Sequence, residues 1–211
     1  MSMRYKGGII SSTPPVITAP VGGEGGAASG IWSLSTVLEE ESNRNWPKAA
    51  LLTEAWSWGS NTNGQLGDLS TTVRSSPVQA GSATDWKQIT GGVDHTIGVK
   101  KDGTLWAWGS NNQGRLGLGD TVNRSSPVQI GALTTWDNAR ASQETSHGIK
   151  TDGTLWAWGK SSNGQLGDGT TTLKSSPIQI GALTNWLSIS AGYNSVTAVK
   201  TDGTLWGWRQ R

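Results

Sequence analysis

One heptapeptide governs this chain: Gly103-Thr104-Leu105-Trp106-Ala107-Trp108-Gly109. It returns as Gly153-Thr154-Leu155-Trp156-Ala157-Trp158-Gly159 and starts again as Gly203-Thr204-Leu205-Trp206-Gly207-Trp208. A worn copy, Glu54-Ala55-Trp56-Ser57-Trp58-Gly59, precedes them. Trp58, Trp108, Trp158 and Trp208 lie fifty residues apart, and so do Pro77, Pro127 and Pro177, and Trp86, Trp136 and Trp186. A fixed period of this size denotes a repeat architecture and outranks any single-residue signal.

Within one period, Trp86 to Thr90 reads as a first strand and His95 to Lys100 as a second. Asp102-Gly103 reads as a type I′ hairpin turn, which needs positive φ. Thr104 to Trp108 is a third strand. A Gly-rich loop, Asn111 to Asn123, leads to a fourth at Ser126 to Ile130. Pro127 suits the outermost position, where no backbone N–H is needed. Four antiparallel strands per period make a propeller blade. Alternation puts Trp106 and Trp108 on one face of the third strand and Leu105, Ala107 and Gly109 on the other. Blades stack face to face, so the bulky face of one packs on the small face of the next. Each buried Trp covers roughly 150–250 Å², a gross stabilisation of roughly 4–6 kcal/mol as an upper figure. With 13 Trp and no Phe in the chain, these indoles carry the core.

The unit from Gly91 to Gly117 resembles the repeat of the regulator of chromosome condensation family. The matching features are Gly91-Gly92-x-x-His95, Asp102-Gly103 before the aromatic strand, and Trp108-Gly109-x-Asn111-x-x-Gly114-x-Leu116-Gly117 after it. The resemblance covers about residues 54–208 and implies a β-propeller, usually seven-bladed. The kelch family shares the period but not this signature. The motif's His stands only at His95, with Thr145 and Ser195 at the equivalent places and His147 out of phase. Nucleotide-exchange members carry a wedge insertion in one blade. The constant spacing leaves no room for one, so exchange activity is not carried over.

Residues 1–30 are rich in Gly, Pro, Ser, Thr and Ala and read as an extended arm, too poor in apolar surface to order alone. Thr36-Val37-Leu38-Glu39 fits a capping box, and Pro47 is a stop, so a short helix is expected over about 36–44 within an attachment segment, residues 31–50. That helix either folds on the repeats of its own chain or docks on another protein. Tyr5-Lys6-Gly7-Gly8, Ser29-Gly30-Ile31-Trp32-Ser33-Leu34 and Asn45-Trp46-Pro47 are similar to the opening of virion structural proteins of tailed phages, particularly those of marine bacteria. The resemblance implies a particle-attachment head, anchored through Trp32, Leu34, Leu38 and Trp46, with the propeller of residues 51–211 as cargo.

The chain carries 17 cations against 15 anions without a cationic run, so no nucleic-acid footprint is present. No apolar run approaches the ~20 residues of a membrane span. Met1 to Pro20 lacks a signal-peptide core, and synthesis in a cytoplasm is expected. With no Cys there is neither a disulfide framework nor a thiolate metal site. Leu66-Gly67-Asp68 and Gly167-Asp168-Gly169-Thr170 lack the carboxylate density of a calcium loop. Asp94 and His95 are adjacent, but no nucleophile is placed with them. The expectation is a protein without cofactor, metal or enzymatic activity.

Asp102, Asp152 and Asp202 read as turn residues. Lys100, Lys150 and Lys200 form a solvated row of cations, and Arg74, Arg124 and Lys174 form another on the opposite rim. The loops between first and second strands differ between copies: Val93-Asp94-His95, Gln143-Glu144-Thr145 and Tyr193-Asn194-Ser195. Function resides in loops held by a rigid scaffold, although loops on which nothing depends also drift. The candidate contact set is Asp94, His95, Glu144, Tyr193 and Asn194, with Arg74, Arg124 and Lys174 on the same rim.

The reading is an all-β protein: an incomplete β-propeller of about three four-stranded blades behind an extended N-terminal arm and a short helix. Its exposed edges and faces imply a homo-oligomer or docking on a larger assembly. The expected function is that of a tailed-phage virion component, localised to the virion, bound to other virion proteins through residues 1–50 and displaying the propeller either to bind a host-surface glycan or protein or to cap a surface. A cellular scaffold using its rim for protein partners is the alternative.

Overall fold

The computed structural model describes residues 53–192 and 195–209. All belong to the second of two units, Ala50–Arg211. The arm, the helix expected over 36–44, and Trp32, Leu34, Leu38 and Trp46 lie outside the described residues, as do Tyr193 and Asn194.

Thirteen strands are present among the described residues. The first pair is β1 (Trp56–Gly59) and β2 (Arg74–Gln79). The first full blade holds β3 (Trp86–Gly91), β4 (His95–Lys100), β5 (Leu105–Gly109) and β6 (Arg124–Gln129). The second holds β7 (Trp136–Ala141), β8 (Thr145–Lys150), β9 (Leu155–Gly159) and β10 (Lys174–Gln179). The last comprises β11 (Trp186–Ala191), β12 (Ser195–Lys200) and β13 (Leu205–Arg209). The sheets are therefore two-, four-, four- and three-stranded, each with strands hydrogen-bonded in chain order and antiparallel. Pro127 and Pro177 sit on the outer edge strands β6 and β10, where a missing N–H breaks no ladder.

The hairpin turn differs from the expected type. Gly103 has φ +80°, but Asp102 is not in the left-handed region, so the two residues do not form a type I′ pair. The Gly103 N–H donates to the Lys100 carbonyl at 3.0 Å, and the Lys100 N–H donates to the Thr104 carbonyl at 3.0 Å. This is the longer hairpin in which a type I turn is closed by a left-handed glycine. Asp is favoured here for another reason. Its carboxylate accepts from the Thr104 N–H (2.9 Å) and Oγ1 (2.7 Å), and Thr104 Oγ1 accepts from Trp106 Nε1 at 2.9 Å. Asp152-Thr154-Trp156 and Asp202-Thr204-Trp206 repeat the relay.

Blades pack by the expected asymmetry. Ile97, Val99, Leu105 and Ala107 of the first full blade form one buried cluster with Trp136, Ala139 and Trp158 of the second. Ile149 and Leu155 of the second pack with Trp186, Ile189 and Trp208 of the third. Ala55 and Ala80 meet Trp86 and Trp108.

Two latches hold each of the last two junctions, whereas at the first the Trp108 Nε1–H is buried without a partner. On one rim, the Trp136 N–H donates to the Gly103 carbonyl of the preceding blade at 3.0 Å, and Trp186 to Gly153 at 3.1 Å. On the other rim, the loop after the third strand reaches over the next blade's second Trp. The Trp158 Nε1–H donates to the Arg115 carbonyl at 2.9 Å, and Trp208 to Gln165 at 3.0 Å. Asn111 shapes this loop, accepting from the Leu116 N–H at 2.9 Å and donating to Asp120.

The row of Lys100, Lys150 and Lys200 is not solvated, which corrects the sequence reading. Lys150 and Lys200 are buried and Lys100 is half-buried. The Lys150 ammonium lies 3.5 Å from the Trp156 ring centroid and 5.1 Å from that of Trp136. Lys200 lies 4.0 and 5.0 Å from Trp206 and Trp186, and Lys100 4.5 and 5.5 Å from Trp106 and Trp86. Each ammonium is held at the faces of two indoles, and such contacts strengthen with desolvation.

Gly117 has φ +73°, and a Cβ there would meet Trp158 Nε1 at 2.7 Å, whereas Gly131, at φ +60°, has open space around it. Gly131→Ala is therefore expected to lower unfolding stability by about 1 kcal/mol, the left-handed term alone. Gly117→Ala adds displacement of the Trp158 latch and should cost clearly more. Urea unfolding of the two variants checks this difference.

Candidate protein-binding rim

The loop between β3 and β4 and the loop between β7 and β8 touch each other on one rim. A Cβ on Gly92 would fall 2.2 Å from the Ser142 carbonyl, so only glycine permits this approach. Each loop is tied down on its own blade. Ser110 N–H donates to the Asp94 carbonyl at 2.8 Å, and Lys160 N–H to the Glu144 carbonyl at 3.0 Å.

Between these loops sits Arg115, on the latch loop after β5. Its residue is buried, and at the equivalent places stand Gln65 and Gln165. Those two glutamines accept from the backbone N–H of Asn63 (2.9 Å) and Asn163 (2.8 Å). Arg115 instead donates to the Gln143 carbonyl at 3.0 Å and to Asn112 Oδ1 at 2.7 Å, and its Nε has no partner. Burial lowers its proton affinity, while the carboxylates of Glu144 and Asp94 oppose that shift. Sequence reasoning passed over Arg115. The available signal was the break from Gly-Gln-Leu-Gly to Gly114-Arg115-Leu116-Gly117.

The structure brings Asp94, Glu144 and Arg115 into one neighbourhood. Asp94 and Glu144 are half-buried, and Val93 beside them is exposed. Glu144 also pairs with Lys160 at 2.6 Å. Arg74, Arg124 and Lys174 are each ion-paired with an Asp of their own loop: Asp68 (2.6 Å), Asp120 (2.6 Å) and Asp168 (3.5 Å). Burial alone would raise the Asp68 carboxyl, but hydrogen bonds from Ser70, Arg74 and Asn61 bring it to about 2.

His95 is not a surface contact, contrary to its place in the expected set. It is buried, with Nε2 2.9 Å from Ser146 Oγ of the next blade. Ser146 Oγ–H donates to the Arg115 carbonyl at 2.7 Å, so its oxygen is left to accept from His95 Nε2–H. Nδ1 is then the unprotonated nitrogen, and it has no partner. Burial, aided by the Arg115 charge, pushes the His95 pKa down to about 3. His147 occupies the slot of Ile97 and is buried with neither ring nitrogen hydrogen-bonded, 6.4 Å from the Trp208 ring. Burial lowers its pKa to about 4, partly offset by the nearby Gln165 carbonyl, which Trp208 already engages.

Elsewhere, two grooves between blades repeat one lining: Trp86, Lys100, Trp106 and Pro127 in the first, and Trp136, Trp156 and Pro177 in the second. The charged groups of the first, Asp68 and Lys100, are already paired with Arg74 and Asp85. Among the described residues, no three His, Asp or Glu side chains converge as metal ligands.

The two buried histidines set a pH dependence. Both folded-state values lie below the unfolded value near 6.5, so the unfolded chain takes up protons first as pH falls. Stability is full above pH 6.5 and declines toward about 4 for His147 and about 3 for His95, by about 1.4 kcal/mol per pH unit for each group. His147→Ile restores the aliphatic residue of the Ile97 slot. It is expected to raise stability at pH 7 by about 1–3 kcal/mol, because it removes unpartnered buried polar atoms. It should also lose only about half as much stability as the parent on acidification to pH 5. Urea titrations at the two pH values measure both effects.

Comparison with known proteins agrees with this architecture. The sequence profile described as "Regulator of chromosome condensation (RCC1) repeat" matches residues 54–99, 102–141 and 152–199, and a second profile of the same repeat matches residues 86–115. The chain belongs to the regulator of chromosome condensation repeat family. No curated protein sequence matches it. Among solved structures, Prp20p from Saccharomyces cerevisiae is 17% identical with a TM-score of 0.66, over 81% of this chain and 44% of that one. Yeast RCC1 (Prp20) bound to Kap60 is 17% identical with a TM-score of 0.62, over 94% and 48%. Human WBSCR16 is 20% identical with a TM-score of 0.64, over 73% and 42%. The chain spans less than half the length of these structures, and at such identities the likeness establishes the fold.

Proposed function

We propose that this propeller is a non-enzymatic protein-binding module, and that a protein partner is taken by the rim carrying Asp94, Gln143 and Glu144. The observation that carries this reading is Arg115. One copy of an otherwise repeated latch loop holds a buried arginine whose guanidinium binds the Gln143 carbonyl, at the place where the first-to-second-strand loops also diverge. The framework does not require this, since Gln65 and Gln165 close the same loop without a charge. The structure of Prp20p was described together with its binding to Gsp1p and histones, and that of yeast RCC1 with Kap60 bound. Protein ligands on such a propeller are therefore the class to test first.

The finer reading concerns where the module works. Residues 1–50 attach it to a tailed-phage particle through Trp32, Leu34, Leu38 and Trp46, among other virion proteins, and the rim faces a host-surface protein or glycan. What supports this is the similarity of the N-terminal stretch to virion structural proteins. A cellular scaffold with the same rim is the second reading, favoured by the protein-bound neighbour.

Replacing Asp94 and Glu144 together by Ala is expected to lower partner capture or host adsorption at least tenfold. Thr151→Ala with Thr201→Ala, on exposed turns of the opposite rim, should leave it unchanged. Equal loss from both pairs, or none from the first, rejects the rim. Deletion of residues 1–50 should abolish incorporation into particles while the repeats stay folded. Normal incorporation of the shortened chain rejects the attachment reading without touching the first.

A further inference from the structure

The inter-blade junctions obey one rule that the ends of the array leave half-fulfilled. In each interior junction, a face bearing the second Trp of the heptapeptide lies on the aliphatic face of the preceding blade. Trp108 and Trp158 are buried by it, and Leu105 and Leu155 are 0% exposed. At one end, the aligned Trp58 is 63% exposed and Trp56 51% exposed. At the other, the aligned Leu205 is 71% exposed, beside exposed Thr197 and Gly207 and half-buried Val199. The two ends thus present the two opposite halves of one junction.

We propose that the occupant of each end face is a second copy of this chain, packed head to tail. Trp58 of one copy lies on Val199, Leu205 and Gly207 of the other. The contact is continuous with the interior junctions, since the same heptapeptide positions meet in the same sense. The amount of chain agrees as well. One copy spans 42–48% of the similar solved propellers, so two copies carry about the length of one. A pair holds twice the thirteen described strands, which falls within the four to eight four-stranded blades of closed propellers. A twofold axis along the channel forms both junctions at once and leaves no face free, which a head-to-tail contact requires if it is not to polymerise.

Sedimentation of the full chain over roughly a hundredfold range of concentration tests the idea. The expected result is a concentration-dependent species of twice the 22.2 kDa chain mass. Trp58→Glu and Leu205→Glu change exposed residues, so each should stay folded by near-ultraviolet circular dichroism yet sediment as a monomer. An equimolar mixture of the two should regain a dimer, because the first keeps an intact tail and the second an intact head. A wild-type chain that is monomeric throughout, a dimer that survives both substitutions, or variants that fail to complement each other overturns the proposal.

Discussion

Each blade depends on one indole. Trp158 packs with the aliphatic face of the blade before it, and its N–H reaches the Arg115 carbonyl on that blade's latch loop. Trp208 does the same with Gln165. The ring supplies the apolar contact and the N–H supplies direction, which suits a residue that is large but keeps one polar edge. Much of the local sequence follows from seating it. Gly117 and Gly167 are bare because the ring edge lies where a Cβ would be. Asn111 is present because its side chain closes the loop that brings the carbonyl over the ring. Gly98 and Gly148 on the second strand are bare because Trp86 and Trp136 cover them.

Most of the fold was legible because these demands recur every fifty residues. Strand positions, the edge prolines and the Trp-on-small packing could be read from spacing and alternation. The rest was hidden where one residue type serves two physical roles. Asp102-Gly103 is the preferred pair of a type I′ turn, but Asp102 is selected here for the carboxylate that caps Thr104 and, through it, Trp106. Lys100, Lys150 and Lys200 follow the pattern of a solvated edge, since nothing in a linear sequence shows two indoles converging on each ammonium. Such contacts join different strands of a blade, and periodicity within one strand carries no trace of them.

The candidate rim was half legible. Divergence between copies pointed to Asp94 and Glu144, and the structure ties Arg115 to the second of these loops through the Gln143 carbonyl. His95 was misplaced because it stands next to a loop Asp, although strand alternation turns its ring into the junction. The cations of the long loops look available in sequence because their partners, Asp68, Asp120 and Asp168, lie four to six residues away across a tight turn. Each pair, with the side chains of Asp68 and Asp168 themselves buried, leaves its cation less free for a ligand.

A repeat supplies its own control, so departures from it are informative in proportion to what the other copies show. At the Ile97 slot the next blades hold His147 and Thr197, and at the Gln65 slot they hold Arg115 and Gln165. The two departures differ in physical consequence. His147 gives up aliphatic packing and places a neutral imidazole against Trp208, where the nearby Gln165 carbonyl is already engaged by Trp208 and neither ring nitrogen is hydrogen-bonded. That is a cost carried by one junction, and it makes this junction sensitive to acid. Arg115 keeps the latch carbonyl that serves Trp158 and Ser146, and gives up only the side-chain oxygen with which Gln65 and Gln165 accept a backbone N–H of their own loop. It adds a charge only on the rim side, toward Gln143, Glu144 and Asp94. A substitution that spares the inter-blade latch and alters mainly the outward chemistry is the kind a binding surface tolerates. For this reason the rim, rather than the blade faces, carries the functional reading.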